Sequence, residues 1–203
     1  MIAEKQATVV CLKSGKKYDA TYVNRLHSMV SRHLSLPHRF LCLTEDPAGV
    51  SCETEMLDAN LDGWWHKITL FRPEPYGIRG RMLFIDLDTV ITGSLDEMAT
   101  YPADFCILDD FLGNGYGSGV FLLEAGARPQ VWEQFNEHVP QRFYGDQDWI
   151  SSQLAGEATW PKEWCRSYRL HAREAIPEGA KMICFHGQPK MDQCSGWVAE
   201  YWR

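Results

Sequence analysis

The sequence predicts an α/β fold with a mostly parallel central sheet flanked by helices, and three observations carry that expectation. Short apolar runs rich in β-branched residues recur along the chain, separated by stretches whose apolar residues repeat at helical spacing. The chain opens strand, helix, strand, which implies a parallel pair and a Rossmann-like beginning. Polar clusters fall repeatedly just after the apolar runs, where open α/β sheets hold ligands.

Residues 7–12 form the first β-branched run and end at a Ser14-Gly15 turn. From Asp19, a suitable cap, the period changes: Tyr22, Val23, Leu26, Met29, Val30 and Leu34 share one helical face. Pro37 closes that helix, and residues 39–43 read as the second strand. Residues 53–57 suggest a third, and residues 64–71 look helical up to Pro73 and Pro75. Residues 104–108 are a strand ending at Asp109-Asp110. A Gly-rich segment, 113–119, then leads into the strand 120–123. Residues 128–139 and 146–154 are helical candidates, and residues 180–185 form a last strand before His186-Gly187. Repeats, low-complexity tracts and linkers are lacking, so a single domain over residues 1–203 is expected.

A chain of 203 residues can bury one sizeable core. The net charge of −7 gives no electrostatic footprint for nucleic acid or an anionic membrane. Arg25, Arg32, His33, His38 and Arg39 read as a solvated helix face and turn. The seven cysteines are odd in number and without a C-x-x-C pair, which argues against a disulfide framework or zinc site and for a reducing compartment. The polar opening Met1-Ile2-Ala3-Glu4-Lys5-Gln6 does not read as a signal peptide, and nothing approaches the apolar length of a membrane span. A cytoplasmic enzyme without an integral membrane segment is the expectation.

The chemistry concentrates in Arg81-Met82-Leu83-Phe84-Ile85-Asp86-Leu87-Asp88-Thr89-Val90. The apolar run reads as a strand buried on both faces. Unpaired buried carboxylates are costly, so both aspartates belong where that strand surfaces, making an oxygen-rich seat for a divalent cation and the phosphates such a cation brings. Four further clusters follow strands or precede this one. Lys13 and Tyr18 follow the first strand; Tyr18 either stacks on a nucleobase or packs at a helix start. Lys67 either reaches a phosphate or sugar hydroxyl or is simply solvated. Gly117-Ser118-Gly119 lets backbone approach a ligand, or makes a tight turn. The last cluster combines Gly145-Asp146-Gln147-Asp148 with Phe185-His186-Gly187-Gln188-Pro189-Lys190. Asp146 is an active-site acid or an N-cap, and His186 a metal ligand or a structural histidine. Two aspartates and one histidine suit Mn²⁺, with Mg²⁺ as a substitute, and Lys190 would add positive charge on a leaving diphosphate.

Taken in order, these elements resemble a small GT-A glycosyltransferase, closest to glycosyltransferase family 8, the glycogenin and lipopolysaccharide galactosyltransferase group. Phe84-Ile85-Asp86-Leu87-Asp88-Thr89 resembles its D-x-D signature and Gly117-Ser118-Gly119-Val120 its N-S-G-V segment, with Asn114 as a substitute for the missing asparagine. Asp146-Gln147-Asp148 resembles its D-Q-D segment, and His186 with Lys190 its H-x-G-x-x-K element. The resemblance implies a nucleotide-diphospho-sugar transferase fold and Mn²⁺ (or Mg²⁺) held by Asp86, Asp88 and His186 on the diphosphate of a UDP-sugar. It implies donor contacts from Lys13, Tyr18, Lys67, Asp86, Ser118, Gly187 and Lys190. Asp146, Gln147 and Lys67 would lie at the reacting centre. Transfer with retention of configuration to a glycan, lipid-linked or protein acceptor follows. Trp64, Trp65, Trp160, Trp164, Trp197 and Trp202 either stack on that acceptor or pack the core.

Two other readings use the same residues. A haloacid-dehalogenase-like phosphatase would use Asp86 as nucleophile, but needs a lysine between Thr89 and Asp146, where there is none. A non-catalytic nucleotide-sugar-binding module would bind UDP without turnover.

Overall fold

The computed structural model describes residues 7–113 and 115–203; Met1 to Gln6 and Asn114, on which the signal-peptide reading and the asparagine substitute rest, lie outside them. Strand β1 (Ala7–Lys13) is buried along nearly all its length and leads into helix α1 (Ala20–His33). The Asp19 carboxylate accepts from the Thr21 amide at 2.9 Å, satisfying one of the amides a helix start leaves without a partner. Strand β2 (His38–Thr44) returns parallel to β1, with Val9 opposite Phe40 and Cys11 opposite Cys42. Strand β3 (Glu53–Glu55) extends the sheet, and a 3₁₀ helix (Gly63–Phe71) precedes β4 (Arg81–Ile85).

Beyond β4 the chain makes β5 (Thr89–Ile91), α2 (Asp96–Ala99), β6 (Phe105–Asp109) and β7 (Tyr116–Glu124). Then come α3 (Gln130–Glu133), α4 (Val139–Arg142), α5 (Asp146–Gln153), β8 (Ala158–Thr159) and β9 (Cys165–Ser167). Helix α6 (Tyr168–His171), β10 (Met182–Cys184), a 3₁₀ turn (Met191–Gln193) and α7 (Trp197–Tyr201) complete it. The seven-stranded sheet has the order β3-β2-β1-β4-β7-β6-β8. It is parallel except at β7, which runs antiparallel to both β4 and β6.

Alternation along the strands divides the core between two faces. Val9, Cys11, Leu83, Ile85, Val120 and Leu122 face α1; Val10, Phe84, Phe105, Phe121 and Leu123 face the 3₁₀ helix and α5. The expected two-face burial of the Arg81–Ile85 strand is what the structure has.

Three departures from the expected elements bear on the site. Residues 116–119 belong to β7 rather than to a loop before it. The helix expected over residues 128–139 is a single turn, α3. Asn136 Oδ1 accepts from the His138 amide at 3.0 Å, an Asx turn, and α4 starts only at Val139 with Pro140 in its first turn, where a missing amide costs nothing. A second sheet, order β5-β10-β9, was not expected; β10 is antiparallel to β5 and parallel to β9. It brings residues 182–190 beside the end of β4. Among the described residues, no helix is long and apolar enough to cross a membrane.

Candidate active site

The site is built around the exit from β4. The chain turns at Leu87-Asp88 between β4 and β5, and this turn packs the Leu87 side chain on the core while Asp86 and Asp88 both face the same cleft. The Asp86 amide donates to the Gly119 carbonyl at 2.8 Å, and the Phe185 amide donates to the Asp88 carbonyl at 2.8 Å. One aspartate is thereby pinned to β7 and the other to the end of β10.

The cleft, about 540 Å³, is lined by Ser14 to Tyr18, Trp64, Lys67, Asp86, Asp88, Ser118 and Tyr144 to Asp148. A second cavity of about 300 Å³ shares Asp86, Asp88, Ser118 and Gln147, and adds Asp110, Phe111 and His186. Both aspartates and His186 therefore face one space, although they come from the middle and the far end of the chain.

Lys67, from the 3₁₀ helix, points its ammonium between two carboxylates: Nζ is 3.0 Å from Asp86 Oδ2 and 3.4 Å from Asp146 Oδ2. Ser118 Oγ accepts from the same Nζ at 3.3 Å. Burial disfavours the ammonium form, but the Asp146 and Asp86 carboxylates outweigh it and raise the Lys67 pKa. Burial pushes Asp86 up to about 7, with Lys67 pulling the other way and Asp88 and Asp146 adding to the rise. Asp146 is the first residue of α5, but Gly145 holds the cap position and no side-chain cap bond forms. The N-cap role is thus not the one Asp146 plays. Its buried Oδ2 has no well-aligned hydrogen bond and has the Lys67 ammonium as neighbour.

Asp88 is held from the other side. Lys190 Nζ donates to Asp88 Oδ2 at 2.6 Å and to the Phe185 carbonyl at 2.7 Å. Tyr18 Oη donates to the same Asp88 oxygen at 2.9 Å, and burial, then Asp88, raises the Tyr18 pKa. Neither base stacking nor helix packing alone describes Tyr18: its hydroxyl tethers the second aspartate.

The glycines have steric reasons. A Cβ on Gly119 would lie 3.2 Å from Asp86 Oδ2, and one on Gly117 would lie 3.1 Å from Leu108 Cδ2. The β6–β7 pairing jumps from Ile107–Phe121 to Leu108–Gly117, so residues 118–120 bulge out of the ladder and Ser118 turns to Lys67. Gly187 has φ +81°, and a side chain there would meet the Arg169 guanidinium at 3.1 Å.

Other expected residues are placed differently. Lys13 is buried and does not line the cleft. It follows Leu12, which does, and so points the opposite way; its ammonium donates to the Asp46 carbonyl at 3.0 Å. Lys16 and Lys17 of the same loop line the cleft instead. His186 Nε2 is 2.6 Å from Ser167 Oγ, and its ring stacks on Phe111 with centroids 5.4 Å apart. Burial, then the Arg169 guanidinium, lowers its pKa. Of the six tryptophans considered for an acceptor, only Trp64 lines the cleft. Trp65, Trp160 and Trp202 are buried, and Trp164 and Trp197 pack against the core. Tyr144, 90% exposed, is an aromatic at the rim that sequence reasoning missed. Ser167 was also missed, having no local sequence signal.

Two carboxylates and an imidazole are the right donor types for Mn²⁺. Their arrangement here is not yet a coordination shell: among the described residues, no three His, Cys, Asp or Glu side chains are grouped to hold a metal ion. Lys67 and Lys190 engage one oxygen of each aspartate, and Ser167 engages His186.

No protein-family model and no curated protein sequence matches this chain. Solved structures do, and they define the fold as the GT-A glycosyltransferase fold. The glycosyltransferase GlyE of Streptococcus pneumoniae superposes with a TM-score of 0.70 at 14% identity over 98% of this chain. That match covers 60% of GlyE, so this chain spans three fifths of its length. The galactosyltransferase LgtC, solved with donor and acceptor sugar analogues, superposes at 0.64 with 15% identity, covering 96% of this chain and 93% of LgtC. An active-site mutant of LgtC gives 0.66 at 13% identity, with the same coverage. At such identities the likeness is one of fold.

Proposed function

We propose that this chain transfers a sugar from a nucleotide-diphosphate sugar, UDP being the favoured nucleotide, to a glycan, lipid-linked or protein acceptor, with retention of configuration. The single observation supporting this most is the convergence of Asp86, Asp88, Lys67 and Ser118 on one cleft at the end of β4, with Lys190 on Asp88. The GT-A fold and the donor and acceptor analogues bound by LgtC support the same reading.

In this reading the bond from the anomeric carbon to the diphosphate oxygen breaks, its electron pair leaves with the diphosphate, and an acceptor hydroxyl attacks from the same face. The hydroxyl oxygen bonds to the anomeric carbon, and its proton passes to the departing diphosphate oxygen. Lys67 and Lys190 lie where they would meet the growing negative charge. Asp146, with Gln147 beside it, would face the positive charge growing on the sugar, a role carboxylates play in glycosidases. Trp64 and Tyr144 would flank the bound donor or acceptor as aromatic walls. A bound Mn²⁺ or Mg²⁺ would be held by Asp86, Asp88 and His186 and would add Lewis-acid neutralisation of the diphosphate.

The test is release of UDP from a panel of UDP-sugars with Mn²⁺. Hydrolysis is expected that EDTA removes and that Asp88→Ala abolishes. Equal release by Asp88→Ala and the unaltered protein would overturn the reading.

A further inference from the structure

We propose that Lys190 is a displaceable latch on Asp88, so that divalent cation and nucleotide diphosphate bind as a coupled pair and the cation alone is held weakly. The inference rests on the nucleotide-sugar reading above and adds a binding order to it.

The two ammonium groups are not equivalent. Lys67 lies among Asp86, Asp146 and Ser118, and its departure would strand the Asp146 carboxylate in a buried position. It stays. Lys190 contacts Asp88, whose side chain keeps 20% exposure and retains its Tyr18 hydrogen bond if Lys190 leaves. It is the one that can go. The backbone around it need not move: the Phe185 amide stays on Asp88, and the Lys190 amide donates to Gln193 Oε1 at 3.0 Å. Rotation of one four-carbon side chain suffices.

Charge decides when it goes. Asp86, Asp88 and Asp146 face Lys67 and Lys190 directly, and Lys16, Lys17 and Asp148 line the same cleft. A diphosphate entering this cleft brings several anionic oxygens beside Asp88 and is a richer acceptor for Lys190 than one carboxylate. A cation alone meets the reverse problem, because the Asp88 oxygen it needs has an ammonium on it at 2.6 Å. Each newcomer therefore removes the obstacle to the other: the diphosphate draws Lys190 off Asp88, and the freed carboxylate takes the cation.

Free Mn²⁺, read by electron paramagnetic resonance during titration of the full chain, tests this with and without UDP. In the unaltered protein UDP should tighten Mn²⁺ binding roughly tenfold or more. Lys190→Met and Lys190→Gln should bind Mn²⁺ without UDP roughly tenfold tighter than the unaltered protein, and should lose most of the UDP effect. The glutamine variant keeps a donor for the Phe185 carbonyl, and thermal melting checks that both variants fold. Unchanged Mn²⁺ affinity in the nucleotide-free folded variants would overturn the latch. Tighter Mn²⁺ binding in the variants with no response to UDP in any protein would support the latch and instead strike the nucleotide-sugar reading.

Discussion

Phe84 of β4 and Phe121 of β7 stack across the antiparallel pair, with ring centroids 4.9 Å apart and planes 18° from parallel. Phe71 and Phe105 close around Phe121 at 5.6 and 6.1 Å. This cluster lies directly beneath the strand end that presents Asp86. Phe121→Ala should destabilise the protein by about 3–5 kcal/mol, read as a shift in the urea midpoint. A loss below about 1 kcal/mol would mean that the cluster repacks.

Removing the charge of Lys67 should act on stability and chemistry together. Lys67→Met leaves Asp86 and Asp146 without their cation. The expected cost is about 3 kcal/mol, the low end for a broken buried pair, since Asp86 reaches the cleft. UDP-sugar turnover should vanish. Adding Asp146→Asn should restore part of the stability and none of the turnover, a separation that chemical denaturation and UDP release measure together.

Gly119→Ala should spare the fold and injure the site. Its Cβ would lie 3.2 Å from Asp86 Oδ2, so the carboxylate must shift by a few tenths of an ångström. We expect a change in stability below about 1 kcal/mol and a fall in turnover of about tenfold, since small displacements of reacting groups are costly. Turnover equal to that of the unaltered protein would show that the carboxylate position is not critical.

The buried histidines should cost stability on the acid side of neutrality, while Asp86, pushed up to about 7, acts in the opposite direction. His66 is buried, its Nδ1 has no hydrogen-bond partner, and burial lowers its pKa. An unfolded histidine takes up its proton at about pH 6.5. The folded pKa is lower, so the unfolded chain protonates first: the contribution of His66 is intact above about pH 6.5 and is lost as pH falls below it. Burial lowers His27, His33 and His171 in the same direction, so the effect is shared. In thermal melts between about pH 7.5 and about pH 5 the midpoint of His66→Gln should shift toward lower stability on acidification less than that of the unaltered protein, and an identical pH dependence would show that His66 does not contribute.

Local chemistry made much of this molecule readable. The parallel β1–β2 opening, the Asp19 cap and the two-face burial of β4 follow from residues adjacent in sequence, and the structure has all three. Asp86 and Asp88 share one cleft through the turn at Leu87-Asp88 rather than through strand alternation. Long-range geometry was not readable. Lys67 was recognisable as a lysine near the metal-type strand, but nothing local said that it would lie between Asp86 and Asp146. The direction of β7 depends on which neighbours it finds, and β5 is three residues long, too short for a period to show. The strand expected over residues 180–185 carried no sign that it would pair with β5 and β9 in a second sheet. Lys13 illustrates the parity problem. One residue of register decides whether a strand-end side chain faces the cleft, and here Leu12 takes that side.

The small sheet has a consequence for how the site comes into being. Strand β5 leaves directly from Asp88, and β10, which pairs with it, delivers His186 and Lys190. During synthesis the seven strands of the large sheet are all available before β10 emerges, yet Asp88 lacks Lys190 and the adjoining cavity lacks Cys184 and His186 until residues 182–190 dock. A protease cut between β9 and β10 that freed this edge would silence the protein while leaving its main scaffold standing.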